Sequence, residues 1–236
     1  ITKLAHLHFC ANEDAVRRVK KMGEEEFRVH HVGAPQLDEL LNSQITSRSV
    51  LAKSLGLDFK QPLILVAQHS VTEEFDQAEF QMAETMKAIA SLALPTVIIL
   101  NNSDAGSKLL RAAVNRRRTP KMKIFNNLPR ADYAGLLKNA SVLVGNSSSG
   151  IIEAALFKLP VVNIGNREYG RMHSTNVIHV SHQANKITAA IKRALSPEFK
   201  KIASKAKSLY GDGRSARRIL EILRQTPIDD KLLIKR

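Results

Sequence analysis

The chain has 236 residues, 44% hydrophobic and 25% charged, enough for one large globular domain or two small ones, and no apolar run approaches a membrane span. No signal-peptide pattern opens it, and a single cysteine, Cys10, excludes an internal disulfide and suits a reducing, cytoplasmic setting. The net charge of +14 favours anionic partners, but 5% aromatic residues without tryptophan provide no stacking platform for nucleic acid.

Ile1-Thr-Lys-Leu-Ala-His6 reads as the end of a helix, and the chain as the later part of a longer protein. His6, His8 and Cys10 then alternate, so they share one side of a strand. A metal site is conceivable there, but an ordinary buried strand is the preferred reading, and no metal or cofactor is expected. A charged helix follows over residues 13–22, then a strand over 29–32. Gly33-Ala-Pro35 breaks the chain. Residues 1–33 are taken as the last piece of an earlier domain and 34–50 as a connection, with a largely polar helix over 38–47.

From residue 51 to 213, short apolar runs alternate with helix-period stretches. The strands are expected at 63–67, 96–100, 123–125, 142–144, 161–164 and 177–180. Between them, Phe75, Met82, Met86 and Ile89 mark one buried helix face. Leu109, Leu110, Ala113 and Val114 mark a second, and Tyr133, Leu136 and Leu137 a third. Ile187, Ala190, Ile191 and Leu195 mark a fourth. Arg116-Arg-Arg118 reads as a solvated helix end, where cations suit the helix dipole. Such alternation implies an α/β fold, a Rossmann-like parallel sheet with helices on both faces. Residues 214–236 close the chain with a helix over 216–224 and a charged tail.

Ligands of parallel sheets sit beyond the carboxyl ends of the strands, so the residues that follow strands matter most. Gln68-His69-Ser70 follows the first of these strands, and His69 is a candidate for phosphate contact or proton transfer; a packing histidine is the plainer alternative. Asn101-Asn102-Ser-Asp-Ala-Gly-Ser107 follows the second and, alone, is a polar turn. Val144-Gly-Asn-Ser-Ser-Ser-Gly-Ile-Ile-Glu153 is the most informative stretch. A strand stops at Gly145, small residues turn, and a helix is expected over 151–157. Backbone N–H groups and serine hydroxyls in such a turn suit an anionic phosphate. The spacing is that of neither a dinucleotide-binding glycine motif nor a P-loop. Glu153, one turn in, either accepts bonds from ribose hydroxyls or reaches back to cap the helix. Finally, Arg167 and Arg171 stand four apart after the next strand and would clamp a pyrophosphate. Together these residues describe a site for a nucleoside diphosphate.

At these residues the chain resembles the UDP-N-acetylglucosamine 2-epimerase family, in its hydrolysing branch. The likeness is carried by Gly145 to Glu153, Pro160-Val-Val-Asn-Ile-Gly-Asn-Arg-Glu-Tyr-Gly-Arg171, Tyr210-Gly-Asp-Gly213, Asn102 to Ser107 and the opening Ile1 to His6. The non-hydrolysing branch carries His-Arg-Arg-Glu-Asn where this chain has His69-Ser-Val-Thr-Glu73. It also has an Asp-Thr-Thr-Glu-Arg-Pro-Glu type segment where this chain has Asn166 to Arg171. The resemblance implies the C-terminal half of a GT-B-like two-domain fold, with residues 1–33 a remnant of the N-terminal Rossmann-like domain. It implies conversion of UDP-GlcNAc or a related UDP-sugar and water to ManNAc and UDP, at the entry to sialic-acid synthesis, by a homodimer or tetramer. His69, Asn102, Ser147, Ser148, Glu153 and Arg167 would contact UDP, with Arg171 either facing phosphate or standing behind the residues that do. His69 is the one catalytic candidate within the chain, because the acid and base carboxylates are expected upstream of Ile1. A GT-B glycosyltransferase and a non-catalytic nucleotide-sugar binding fragment remain the alternatives.

Overall fold

Residues 1–100 and 106–235 are described by the computed structural model; Asn102 lies outside them. The chain divides into two units, residues 1–44 with 208–236 and residues 45–207. No helix among the described residues is long and apolar enough to cross a membrane.

Unit 1 begins with hydrogen-bonded turns rather than the expected helix end: Leu4 N and Ala5 N both donate to Ile1 O, at 2.9 and 3.1 Å. Strand β1 (His8–Cys10) pairs in parallel with β2 (Val29–His31). Between them runs α1 (Glu13–Lys21), whose start is fixed by Asn12, the side chain accepting from Ala15 N at 2.8 Å. Acidic Glu13 and Asp14 at its start and Lys20 and Lys21 at its end both suit the helix dipole. His8 shares its side of β1 with buried Cys10, but its Nε2 is taken by Glu24 at 2.9 Å. The connection holds α2 (Gln36–Asn42), which buries Leu37 and Leu40.

Unit 2 opens with α3 (Arg48–Leu55), a helix not anticipated in the connection. Ser47 caps it, and Gly56 ends it in the left-handed region. Then come β3 (Ile64–Ala67), α4 (Ala78–Leu92), β4 (Thr96–Ile99), α5 (Ser107–Arg116), β5 (Met122–Phe125) and α6 (Arg130–Asn139). The second half follows with β6 (Val142–Gly145), α7 (Ser148–Ile152), β7 (Val161–Ile164), β8 (Val177–Val180), α8 (Ala184–Leu195) and α9 (Pro197–Ala203). The strands form one wholly parallel sheet in the order β5-β4-β3-β6-β7-β8.

Both faces of this sheet are covered, which is why its central strands β3 and β6 read as unbroken apolar runs. Ile64, Val66, Ile98, Val142 and Val144 point into a core with α4, α5 and α8. Their neighbours Leu65, Ala67, Val97 and Leu143 point the other way, against Leu51 of α3 and Leu136 and Leu137 of α6. Phe75 corrects the helix-face reading. It lies before α4 in a 3-10 stretch kinked at Glu74 and is 55% exposed, whereas Met82, Met86 and Ile89 are buried. Strands β4 and β5 are added on one side of β3, and β6, β7 and β8 on the other. Between β3 and β6 the order reverses, and their crossovers leave in opposite directions, opening a crevice at the carboxyl ends.

The closing stretch carries α10 (Ser215–Gln225) and α11 (Asp230–Leu233) and is tied into unit 1. The Asp38 carboxylate accepts from Ser215 N and Ala216 N, at 2.9 and 2.6 Å, capping α10. Arg28, wholly buried, donates to Leu232 O at 2.7 Å and Lys231 O at 2.8 Å, capping the far end of α11. Glu24 gathers His8, Lys3 and Lys235 at 2.9, 3.2 and 2.7 Å.

Candidate functional site

The crevice between β3 and β6 is shaped first by Gly145. Its φ is +134°, and a Cβ there would lie 2.1 Å from Ala67 O, so the two strand ends approach as only glycine allows. Asn146 follows, 1% exposed, and joins three strand ends. Its Oδ1 accepts from His69 N at 2.7 Å, and its Nδ2 donates to His69 O at 2.9 Å. Its own carbonyl accepts from Arg167 Nη1 at 3.0 Å.

The serine turn then begins a helix three residues earlier than the sequence pattern indicates. Ser147 is the cap of α7, its hydroxyl accepting from Ser149 N at 3.4 Å. The α-helix ends after Ile152, and residues 154–157 continue as a 3-10 turn closed by Lys158 in the left-handed region. Ser147 and Ser148 are partly exposed, whereas Ser149 and Gly150 are buried. Ser149 is held from behind: its hydroxyl lies 2.6 Å from the Tyr133 hydroxyl and 3.1 Å from that of Ser147. Burial, with the Glu153 charge beside it, pushes the Tyr133 phenol up to about 12, so it stays protonated.

These residues line a cavity of about 420 Å³, together with Ala67, His69, Ile99 and Asn127. That volume suits a small ligand. His69, Ser147, Ser148 and Glu153 are thus brought together in one pocket. Glu153 does not cap its helix. The residue is 6% exposed, and its carboxylate meets the Arg130 guanidinium, with Nη2 2.9 Å from Oε1 and Nη1 3.4 Å from Oε2. Arg130 and Tyr133 were missed as site residues. Tyr133 was counted with the buried face of α6, where its ring does lie, and no local spacing links Arg130 to Glu153.

Arg167 and Arg171 lie outside this lining and converge on Glu168, the residue that follows the first of them. Its Oε1 is 2.9 Å from Arg167 Nη1 and its Oε2 3.1 Å from Arg171 Nη1. Glu168 is 1% exposed. Burial raises its pKa despite the two cations, which pull the other way. Arg167 also borders a second hollow of about 450 Å³ with Ser70, Thr72, Glu73, Glu74 and Asn166. Asn166 Nδ2 donates to Glu74 Oε1 at 3.0 Å, holding the loop after β7 against the segment after β3. No cluster of three potential metal-ligating side chains occurs among the described residues.

Compared with known proteins, residues 1–224 match the family described as UDP-N-acetylglucosamine 2-epimerase. The chain belongs to that family. It is 35% identical over its whole length to a UDP-N,N'-diacetylbacillosamine 2-epimerase (hydrolyzing) of Legionella pneumophila, of which it covers 62%. It is 32% identical, over 83% of its length, to a UDP-N-acetylglucosamine 2-epimerase of Neisseria meningitidis serogroup B, of which it covers 52%. The chain therefore spans between half and two thirds of these relatives. Among solved structures it resembles the UDP-GlcNAc 2-epimerase from Neisseria meningitidis bound to UDP-GlcNAc, with a TM-score of 0.76 and 15% identity, covering 95% of this chain and 63% of that one. This likeness shows the fold: a Rossmann-like α/β arrangement of the GT-B-like kind expected from the sequence.

Proposed function

We propose that this chain is the UDP-holding part of a hydrolysing UDP-sugar 2-epimerase. The observation that carries the reading is the pocket at the reversal of strand order, where His69, Ser147, Ser148 and Glu153 meet. Ser147 and Ser148 present hydroxyls where the diphosphate would lie, and Glu153 presents acceptors for ribose. Arg167, anchored by Asn146 and Glu168, supplies positive charge beside them, and Arg171 adds to it through Glu168. Asn102, which follows β4 in the sequence and lies outside the described residues, is the remaining proposed UDP contact.

The reaction converts a UDP-sugar and water to UDP and the free C2 epimer. Removal of the C2 proton and expulsion of UDP give a glucal-like intermediate, to which water adds with inversion at C2. Charge grows on the departing diphosphate, and this chain's part is to stabilise it. The acid and base carboxylates are assigned to residues preceding Ile1, where residues 1–33 would complete a first Rossmann-like domain. The sugar is GlcNAc, yielding ManNAc for sialic-acid synthesis, or a diacetamido sugar like that named for the Legionella relative.

Calorimetry of this chain with UDP and with UMP tests the reading. UDP should bind more tightly, through the second phosphate, and UDP-GlcNAc should yield little or no ManNAc with this chain alone. Absence of UDP binding would overturn the proposed site, and ManNAc release at a full enzyme's rate would overturn the division of labour. Glu153→Gln should narrow the preference for UDP over a ribose-modified analogue.

A further inference from the structure

Helix α6 begins at Arg130 and carries Tyr133 one turn later, so both side chains leave the same face. That face is a wall of the pocket. Tyr133 fixes the serine turn through Ser149, and Arg130 fixes Glu153. The Arg130 contact is a fork, two nitrogens against two oxygens at 2.9 and 3.4 Å. Each carboxylate oxygen has two acceptor positions, and the fork consumes one on each. One position per oxygen is left, with the carboxylate plane set. The positions left lie on the outer sides of the two oxygens and face apart, so one oxygen serves one hydroxyl, with a direction that a freely rotating Glu side chain does not provide. The burial agrees, since Glu153 is only 6% exposed and a charge set in the wall of a pocket is costly without a cationic partner.

We propose that Arg130 is a positioning residue that locks Glu153 as an acceptor for the ribose 2′ hydroxyl, and so sets the preference for ribonucleotide over deoxyribonucleotide. This rests on the nucleotide reading given above. Arg130 acts through Glu153, and its signature is a loss of discrimination rather than a uniform loss of affinity.

The test is calorimetric titration of this chain with UDP and with 2′-deoxy-UDP, alongside Arg130→Gln and Arg130→Lys. The native chain should favour UDP by about ten- to a hundredfold, the range of a hydrogen bond to a charged acceptor. In Arg130→Gln the preference should fall to within about threefold, chiefly by weaker UDP binding. Arg130→Lys keeps the charge but not the fork, and should lose most of the preference as well. A folded variant of either kind that keeps the native ratio overturns the proposal, even if both affinities drop together. Should Arg130→Gln fail to fold, Arg130→Lys decides alone. The failures are separable. No UDP binding by the native chain defeats the nucleotide site itself. Equal native binding of the two nucleotides defeats the ribose role of Glu153 and this proposal with it. Native discrimination that survives in the variants defeats this proposal only.

Discussion

Gly145→Ala is the sharpest test of how the crevice is built. The added Cβ would meet Ala67 O at 2.1 Å, Ala67 C at 2.6 Å and Gln68 N at 3.1 Å. All three are backbone atoms at the end of a central strand, so no rotamer change relieves the clash. Overpacking of this kind costs about 1–3 kcal/mol. Holding a non-glycine residue at a φ of +134° adds strain, about 1–3 kcal/mol more. The sum is about 2–6 kcal/mol, a large share of the roughly 5–15 kcal/mol by which domains are stable. Gly170→Ala is the internal control. Its φ is +77° and a Cβ there meets nothing within 4 Å, so only the strain applies. Urea unfolding of the three proteins reads both quantities, provided the slopes match. Gly145→Ala should lose about 1–3 kcal/mol more than Gly170→Ala. Equal losses would show that the strands do not approach this closely and would refute the geometry of the crevice.

Two further outcomes follow from charge. Arg167→Ala should weaken UDP binding by about 1–3 kcal/mol, since a charge-assisted contact is lost; unchanged affinity by calorimetry would remove Arg167 from the diphosphate. In unit 1, Lys235, His8 and Lys3 hold Glu24 down from 4.5 to about 2, and Arg218 holds Asp212 down from 3.8 to about 2. Because both folded-state values are depressed, the stabilisation is full above the ordinary values and drains away as pH falls towards 2. Hydrogen exchange of unit 1 amides should therefore show protection falling between about pH 4.5 and 2; protection constant across that window would contradict these pairings.

What was legible in the sequence follows from where the physics is local. The central strands of unit 2 stood out because burial on both faces demands unbroken apolar residues, as at Ile64 to Ala67. His69, Ser147, Ser148 and Glu153 could be gathered because each follows or soon follows a strand end. Short helices were lost. In α3, Val50 is 53% exposed and Leu51 fully buried, which leaves little periodic signal. Phe75 misled because its spacing to Met82 stays helical across a kink that only the backbone reveals. The brace of Arg130 on Glu153 spans 23 residues and exists only because the topology sets α6 beside α7. The arginine pair was visible by spacing, yet its organiser, Glu168, was not, because nothing in a sequence says that a carboxylate is 1% exposed.

The division of the chain has a consequence for biosynthesis. Residues 45–207 are one uninterrupted segment, whereas the other unit is assembled from residues 1–44 and 208–236. On a ribosome the inserted segment can fold as soon as it emerges. Residues 1–44 must wait until residues 208–236 have been made before Asp38 finds α10 and Arg28 finds α11. Until then β1 and β2 are left without these partners, and it is during that interval that a nascent copy is most exposed to chaperones and proteases.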